Sequence, residues 1–180
     1  TMSHEIRTPL YGVLGSLELM GLTNLDHEQQ QLLERIQVSS GLLLQIISDI
    51  LDITKIESDQ LALGEQVFDP VSLVQSCTAA HIDLAQKKEL LLFSSLEPDV
   101  PTALRGDPGR IRQILTNLIS NAIKFTLSGH IIVRLRIARS RSGHVTLLLQ
   151  VSDTGVGISK EEQKSLFSPF YQIDANTHSV

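Results

Sequence analysis

The sequence predicts an α+β protein, a helical hairpin followed by alternating helices and strands, on three observations. Leu and Ile supply 29 and 17 of the 180 residues while aromatics make up only 4%, which favours helix bundles and leucine-rich layers over aromatic sandwiches. Apolar positions recur at helical period up to about residue 58, and after it short β-like runs appear between helical ones. Charge divides at the same place. Residues 1–58 hold three basic and eight acidic side chains and 59–180 hold twelve of each, so the first third alone accounts for the formal net charge of -5. A boundary is expected there, separating domains 1–58 and 59–180.

Ile6, Leu10, Val13, Leu17 and Met20 fall within one stripe at 100° per residue and predict an amphipathic helix. Gly21 to Leu25 break it. Asp26 then caps a second helix carrying Leu32, Leu33, Ile36, Leu43, Ile46, Ile47, Ile50, Ile53 and Ile56, running to about Ser58. That stripe is too wide for one partner helix, and the pair is expected to dimerise into a four-helix bundle.

His4 lies about 200° from Ile6, and Thr8, Tyr11 and Gly15 share its side. The histidine is expected to face solvent, which a plain surface histidine would also do. Its context is Ser3-His4-Glu5-Ile6-Arg7-Thr8-Pro9-Leu10, with Pro9 expected to kink the helix. A helical zinc protease would need His where Thr8 stands. Nucleophilic chemistry remains: a neutral imidazole can attack phosphorus through one nitrogen while Glu5 hydrogen-bonds the other and takes up the proton.

Asp69-Pro70 reads as an N-cap with proline at the first helical position, opening a helix to about Lys88, and Leu90 to Leu96 read as a strand. The signal repeats at Asp107-Pro108. In the helix that follows, Ile111, Leu115, Leu118, Ile119, Ala122 and Ile123 occupy one side and Asn117, Asn121 and Lys124 the other. Two carboxamides and a cation there suit either a ligand or plain solvation. Ile131 to Ala138 and Val145 to Val151 alternate as two strands joined around Ser142-Gly143. Asp153 continues the row Val145, Leu147, Leu149, Val151, so its carboxylate is expected to point inward beside the bare loop Thr154-Gly155-Val156-Gly157. A buried acceptor there can hold a base amino group, and a strand-end turn is the plainer alternative. The triplet Asp153-Thr154-Gly155 also occurs in aspartic proteases, which need two such carboxylates and an all-β fold.

Composition narrows the classes further. The acidic balance argues against a nucleic-acid binder. No uninterrupted apolar run approaches the roughly 18 residues of a membrane span, and no signal peptide is visible. A single Cys77 excludes an internal disulfide and a cysteine-rich zinc site.

Taken together, the run Ser3 to Leu10, Asn117-Leu118-Ile119-Ser120-Asn121-Ala122-Ile123-Lys124-Phe125-Thr126, Asp153-Thr154-Gly155-Val156-Gly157-Ile158 and Phe167-Ser168-Pro169-Phe170 resemble, in order, the boxes of bacterial sensor histidine kinases of two-component systems. The resemblance covers essentially the whole chain. The stretches Ser48 to Ser58 and Leu96 to Gly106 are most similar to the hybrid, phosphorelay-type kinases.

The resemblance implies a dimerisation and phosphoacceptor domain followed by a two-layer α/β sandwich with helices on one face of a mixed sheet, the ATP-binding domain of that family. By position, His4 would be the phosphoacceptor, Glu5 the base, and Thr8 the residue orienting water when phosphate is removed from a partner. Asn121 would hold magnesium with Asn117 in support, and Lys124 would meet phosphate. Asp153 would take the adenine amino group over a loop of Gly155 and Gly157, and Phe167 and Phe170 would anchor a lid over ATP. Two aromatics at helical spacing equally suit a core. The implied partners are a second copy and a response-regulator receiver domain, which could lie in the same parent chain. Neither nucleic acid nor membrane contact by this region is implied. The implied location is the cytoplasm, with the parent anchored in the inner membrane. The second glycine-rich box expected after the lid is absent before Val180, so the chain alone is expected to bind ATP weakly. A catalytically silent scaffold that dimerises and docks receivers or other kinases is the alternative.

Overall fold

The computed structural model describes residues 2–58, 60–141 and 143–168, with side chains from residue 8 onward. The chain divides into two compact units, Thr1–Ala62 and Leu63–Val180.

The first unit pairs α1 (Met2–Gly21) with α2 (His27–Glu57). Helix α1 runs through Pro9 without interruption. Asp26 caps α2 reciprocally: its carboxylate accepts the Gln29 amide at 2.8 Å, and the Gln29 side-chain oxygen accepts the Asp26 amide at 3.0 Å. Leu17 and Leu33 are buried where the helices meet, and Gly21 leaves room for Leu33. Two helices cannot enclose the rest of the stripe. Val13, Met20, Leu32, Ile36, Leu43, Ile46 and Ile50 are each 43–49% exposed.

By length and composition α2 could also cross a membrane. Its charges argue for a bundle helix instead, because Arg35 and Asp49 confine the uncharged stretch to 36–48, well short of the ~20 residues a span needs.

The second unit contains β1 (Gln66–Phe68), α3 (Pro70–Ala79), α4 (Ile82–Lys87), β2 (Leu91–Leu96), β3 (Leu104–Gly106), α5 (Pro108–Phe125), β4 (His130–Arg141), β5 (His144–Asp153) and α6 (Lys160–Gln163). Three strands form a mixed sheet in the order β2-β4-β5, with β2 parallel and β5 antiparallel to β4. A separate antiparallel ribbon pairs β1 with β3, Phe68 opposite Leu104. The core lies on one face of the main sheet. Leu73, Val74 and Cys77 of α3 and Leu115, Ile119, Ala122 and Ile123 of α5 pack over Ile131, Val133 and Leu135 of β4.

Several expectations need correction. The helix expected to reach Lys88 is two helices. The His81 ring donates from Nδ1 to the Cys77 carbonyl at 2.8 Å, taking the acceptor its own amide would use in a continuing helix, and that amide goes to Thr78 instead. Leu118 is 44% exposed, because it stands at the margin of the α5 stripe, about 60° from Leu115 and 100° from Ile119. The hairpin strands run past their expected ends, through a bulge between Ile137 and Arg139 that absorbs a register shift.

Candidate functional site

In the first unit His4, Glu5 and Thr8 occupy the opening turns of α1. Thr8, one turn beyond His4, is exposed.

In the second unit α5 carries the candidate ligand-binding groups. It starts where the sequence says it should. Asp107 accepts the Arg110 amide at 3.0 Å, Pro108 fills the first position, and the other carboxylate oxygen accepts the Gly64 amide at 2.8 Å. These amides, Arg110 first, hold the Asp107 carboxyl below the usual carboxylate range. With Leu115, Ile119 and Ile123 buried on one side, Asn117, Asn121 and Lys124 are exposed on the other. The Lys124 ammonium lies 4.9 Å from the centre of the Phe125 ring.

Of the four carbonyls that end α5, three accept hydrogen bonds and the fourth abuts the backbone of a neighbouring turn. The Ala122 oxygen accepts the Thr126 amide at 3.0 Å. Lys88 Nζ donates to the Ile123 oxygen at 2.9 Å and the Lys124 oxygen at 3.3 Å. The Phe125 oxygen lies against Gly155, where a Cβ would stand only 2.6 Å away. Gly155 is therefore required by the close approach of the chain's own backbone. Gly157 is required for another reason, its φ of +74.

Asp153 closes β5 opposite Ile131. Its Oδ1 accepts the Gly155 amide at 2.8 Å, which orients the carboxylate. The residue is exposed, contrary to the expected inward, buried acceptor. Asp153 is the last residue of its row, and the helix layer that covers the row ends beside it at Phe125. Thr154, which sequence reasoning passed over, ties this end of the sheet together. Its Oγ1 accepts the His130 amide at 3.0 Å and donates to the Ser128 carbonyl at 3.0 Å, and Gly129 is bare where the threonine side chain crosses it. The α5 end and the Asp153 turn are thus held side by side.

Beyond the glycines, Ser159 and Glu162 cap α6 reciprocally, a Ser-x-x-Glu signal readable in the sequence. Phe167 is 94% exposed, so it is no core aromatic. Phe170 lies outside the described residues. Among the described residues no cluster of three or more His, Cys, Asp or Glu could hold a metal by itself. The donors suit magnesium in another way: a single carboxamide oxygen such as that of Asn121 can complete a shell made of phosphate oxygens and waters.

A helix pair with a histidine motif, followed by an α/β layer with carboxamides and a carboxylate–glycine turn, defines a phosphoacceptor domain joined to a nucleotide-binding domain. Family comparison agrees. Residues 1–59 match the His Kinase A (phospho-acceptor) domain and residues 106–180 the histidine kinase-, DNA gyrase B- and HSP90-like ATPase. The sensor histidine kinase RcsC of Escherichia coli (strain K12) is 46% identical over 96% of this chain, and the sensor protein GacS of Pseudomonas syringae pv. syringae is 44% identical over 96%. The crystal structure of full-length ShkA in complex with AMPPNP superposes with a TM-score of 0.66 at 31% identity, covering 89% of this chain and 34% of that one. The Acinetobacter baumannii histidine kinase AdeS gives 0.62 at 25% identity, covering 92% and 79%. The chain belongs to the sensor histidine kinases. It spans 18–19% of the length of those two sequence relatives.

Proposed function

We propose that this chain is the core of a hybrid-type histidine kinase that moves the γ-phosphoryl group of ATP to His4 and then to an aspartate on a receiver domain. The observation that carries this reading is the juxtaposition made by the Gly155–Phe125 contact: Asn121 and Lys124 on the last turns of α5 stand beside the Asp153 turn. An acceptor for a base amino group next to amide and cationic groups suited to phosphates is what an adenine nucleotide requires.

In this reading Asp153 accepts from the adenine amino group, Lys124 meets the phosphates, and Asn121 with support from Asn117 holds magnesium. Magnesium, when bound, neutralises charge on the phosphates. The remaining work belongs to α1. Glu5 fixes the tautomer of the His4 imidazole and receives its proton as the other ring nitrogen bonds to phosphorus and the β,γ-bridging oxygen departs on ADP. Phe167 and Phe170 cover the nucleotide. Thr8, about 6 Å along the same face, orients water when phosphate is removed from the receiver. The exposed stripe of α1 and α2 is covered by a second copy, and dependence on ATP places the chain in the cytoplasm.

The test is phosphate incorporation from labelled ATP by the full-length protein. His4→Gln is expected to abolish acid-labile, alkali-stable label while leaving nucleotide affinity intact. Label retained by that variant would remove His4 as phosphoacceptor.

A further inference from the structure

We infer that Lys88, far from α5 in sequence, is a positioning residue for the phosphate side of the nucleotide site, acting through the last turn of α5. The inference rests on the nucleotide reading above. The end of a helix carries a partial negative charge on its unpaired carbonyls, and a triphosphate bound near Asn121 and Lys124 would meet that charge. Lys88 places an ammonium on two of those carbonyls, Ile123 and Lys124. It both offsets the charge and fixes the backbone from which the Lys124 side chain springs, one turn beyond Asn121.

The base of the Lys88 side chain is itself immobilised. Lys88 is the C-cap of α4, and the chain leaves that helix in a two-bond turn, with the Glu89 amide donating to Gln86 at 2.9 Å and the Leu90 amide to Ala85 at 3.0 Å. Ala85 and Leu90 are buried. Glu89 holds a φ of +59 to make this turn, a conformation that costs a non-glycine residue. A strained turn on a buried anchor thus delivers one ammonium to the end of another element. Asp153 also has holds that do not involve Lys88, its strand pairing with Ile131 and the Gly155 amide. Loss of Lys88 should therefore fall on the phosphate half of the site and spare the base half.

The experiment compares wild-type, Lys88→Met and Lys88→Arg full-length proteins by titration with magnesium–ATP and with adenosine, and by hydrogen exchange. Lys88→Met is expected to weaken ATP about tenfold, the effect of losing a charge-assisted hydrogen bond, while adenosine affinity stays within about twofold. Amides at 123–126 should exchange faster while those of Leu115 and Ile119 keep their protection, showing that the variant is folded. Lys88→Arg, which retains the donors, should restore ATP binding. Equal losses for ATP and adenosine, or unchanged ATP affinity, would overturn the assignment. Wild-type protein that binds neither compound would instead overturn the nucleotide reading, and the inference with it.

Discussion

At Gly155 an added Cβ would stand 2.6 Å from the Phe125 carbonyl oxygen and 2.8 Å from Oδ1 of Asp153. The first is a backbone atom that cannot swing aside, so Gly155→Ala must push the helix end and the turn apart. The expected cost is about 1–3 kcal/mol, read as a lower thermal midpoint, together with weaker ATP binding; a variant as stable and as tight as wild type would refute the contact. Gly157→Ala meets open space and should lose only about 1 kcal/mol from its positive φ. Glu89 is the converse case. Replacing it with glycine relieves the left-handed backbone at some cost in unfolded-state entropy, so Glu89→Gly should stabilise by about 0.5–1 kcal/mol in urea denaturation. Thr8→Ala should slow removal of phosphate from a phosphorylated receiver yet spare labelling of His4, whereas Glu5→Ala should do the reverse. Paired time courses distinguish the two.

Among elements, those with local signals were legible. Asp26, Asp69 and Asp107 cap helices as the sequence indicates, because a cap is decided by the few residues after it. The β1–β3 ribbon carries no such signal: three-residue strands have too little alternation to register, and their partners lie some forty residues apart. The same locality explains the site. Asn117, Asn121 and Lys124 share a helix face and could be read from spacing, whereas Lys88 and Thr154 act on backbone groups distant in sequence. The exposure of Asp153 is not legible in the sequence, because alternation gives the face of a strand residue and says nothing of where the covering layer stops. The α5 cap carries a pH prediction. The Asp107 carboxyl is held below its unfolded value by the Arg110 and Gly64 amides, so its contribution is complete above the ordinary carboxylate pKa and fades as pH falls through the lower folded value. In urea titrations Asp107→Asn should therefore be less stable than wild type near neutrality, with the gap closing as pH drops below about 4.

For the whole molecule the seven apolar residues left 43–49% exposed along α1 and α2 demand an explanation, since a contiguous patch of that kind is rare on a monomer. Single surface substitutions usually change stability by less than about 0.5 kcal/mol. Ile46→Glu in a dimer seam should do far more, shifting the sedimentation equilibrium toward monomer and lowering helicity with dilution. A monomeric wild type would leave the stripe without its proposed partner. The main sheet has a different consequence, for synthesis rather than for chemistry. Among the described residues strand β2 sits at an edge and pairs only with the parallel strand β4, Leu91 lying opposite His130. A parallel pair cannot close as a hairpin, so about forty residues must leave the ribosome after Leu91 before that strand can pair with β4. The contacts of α1 with α2 are complete long before then. The growing chain therefore carries a finished hairpin of helices ahead of an unpaired strand bearing exposed Leu91 and Phe93, and the interval before β4 emerges is when it is most open to a chaperone or to misassociation.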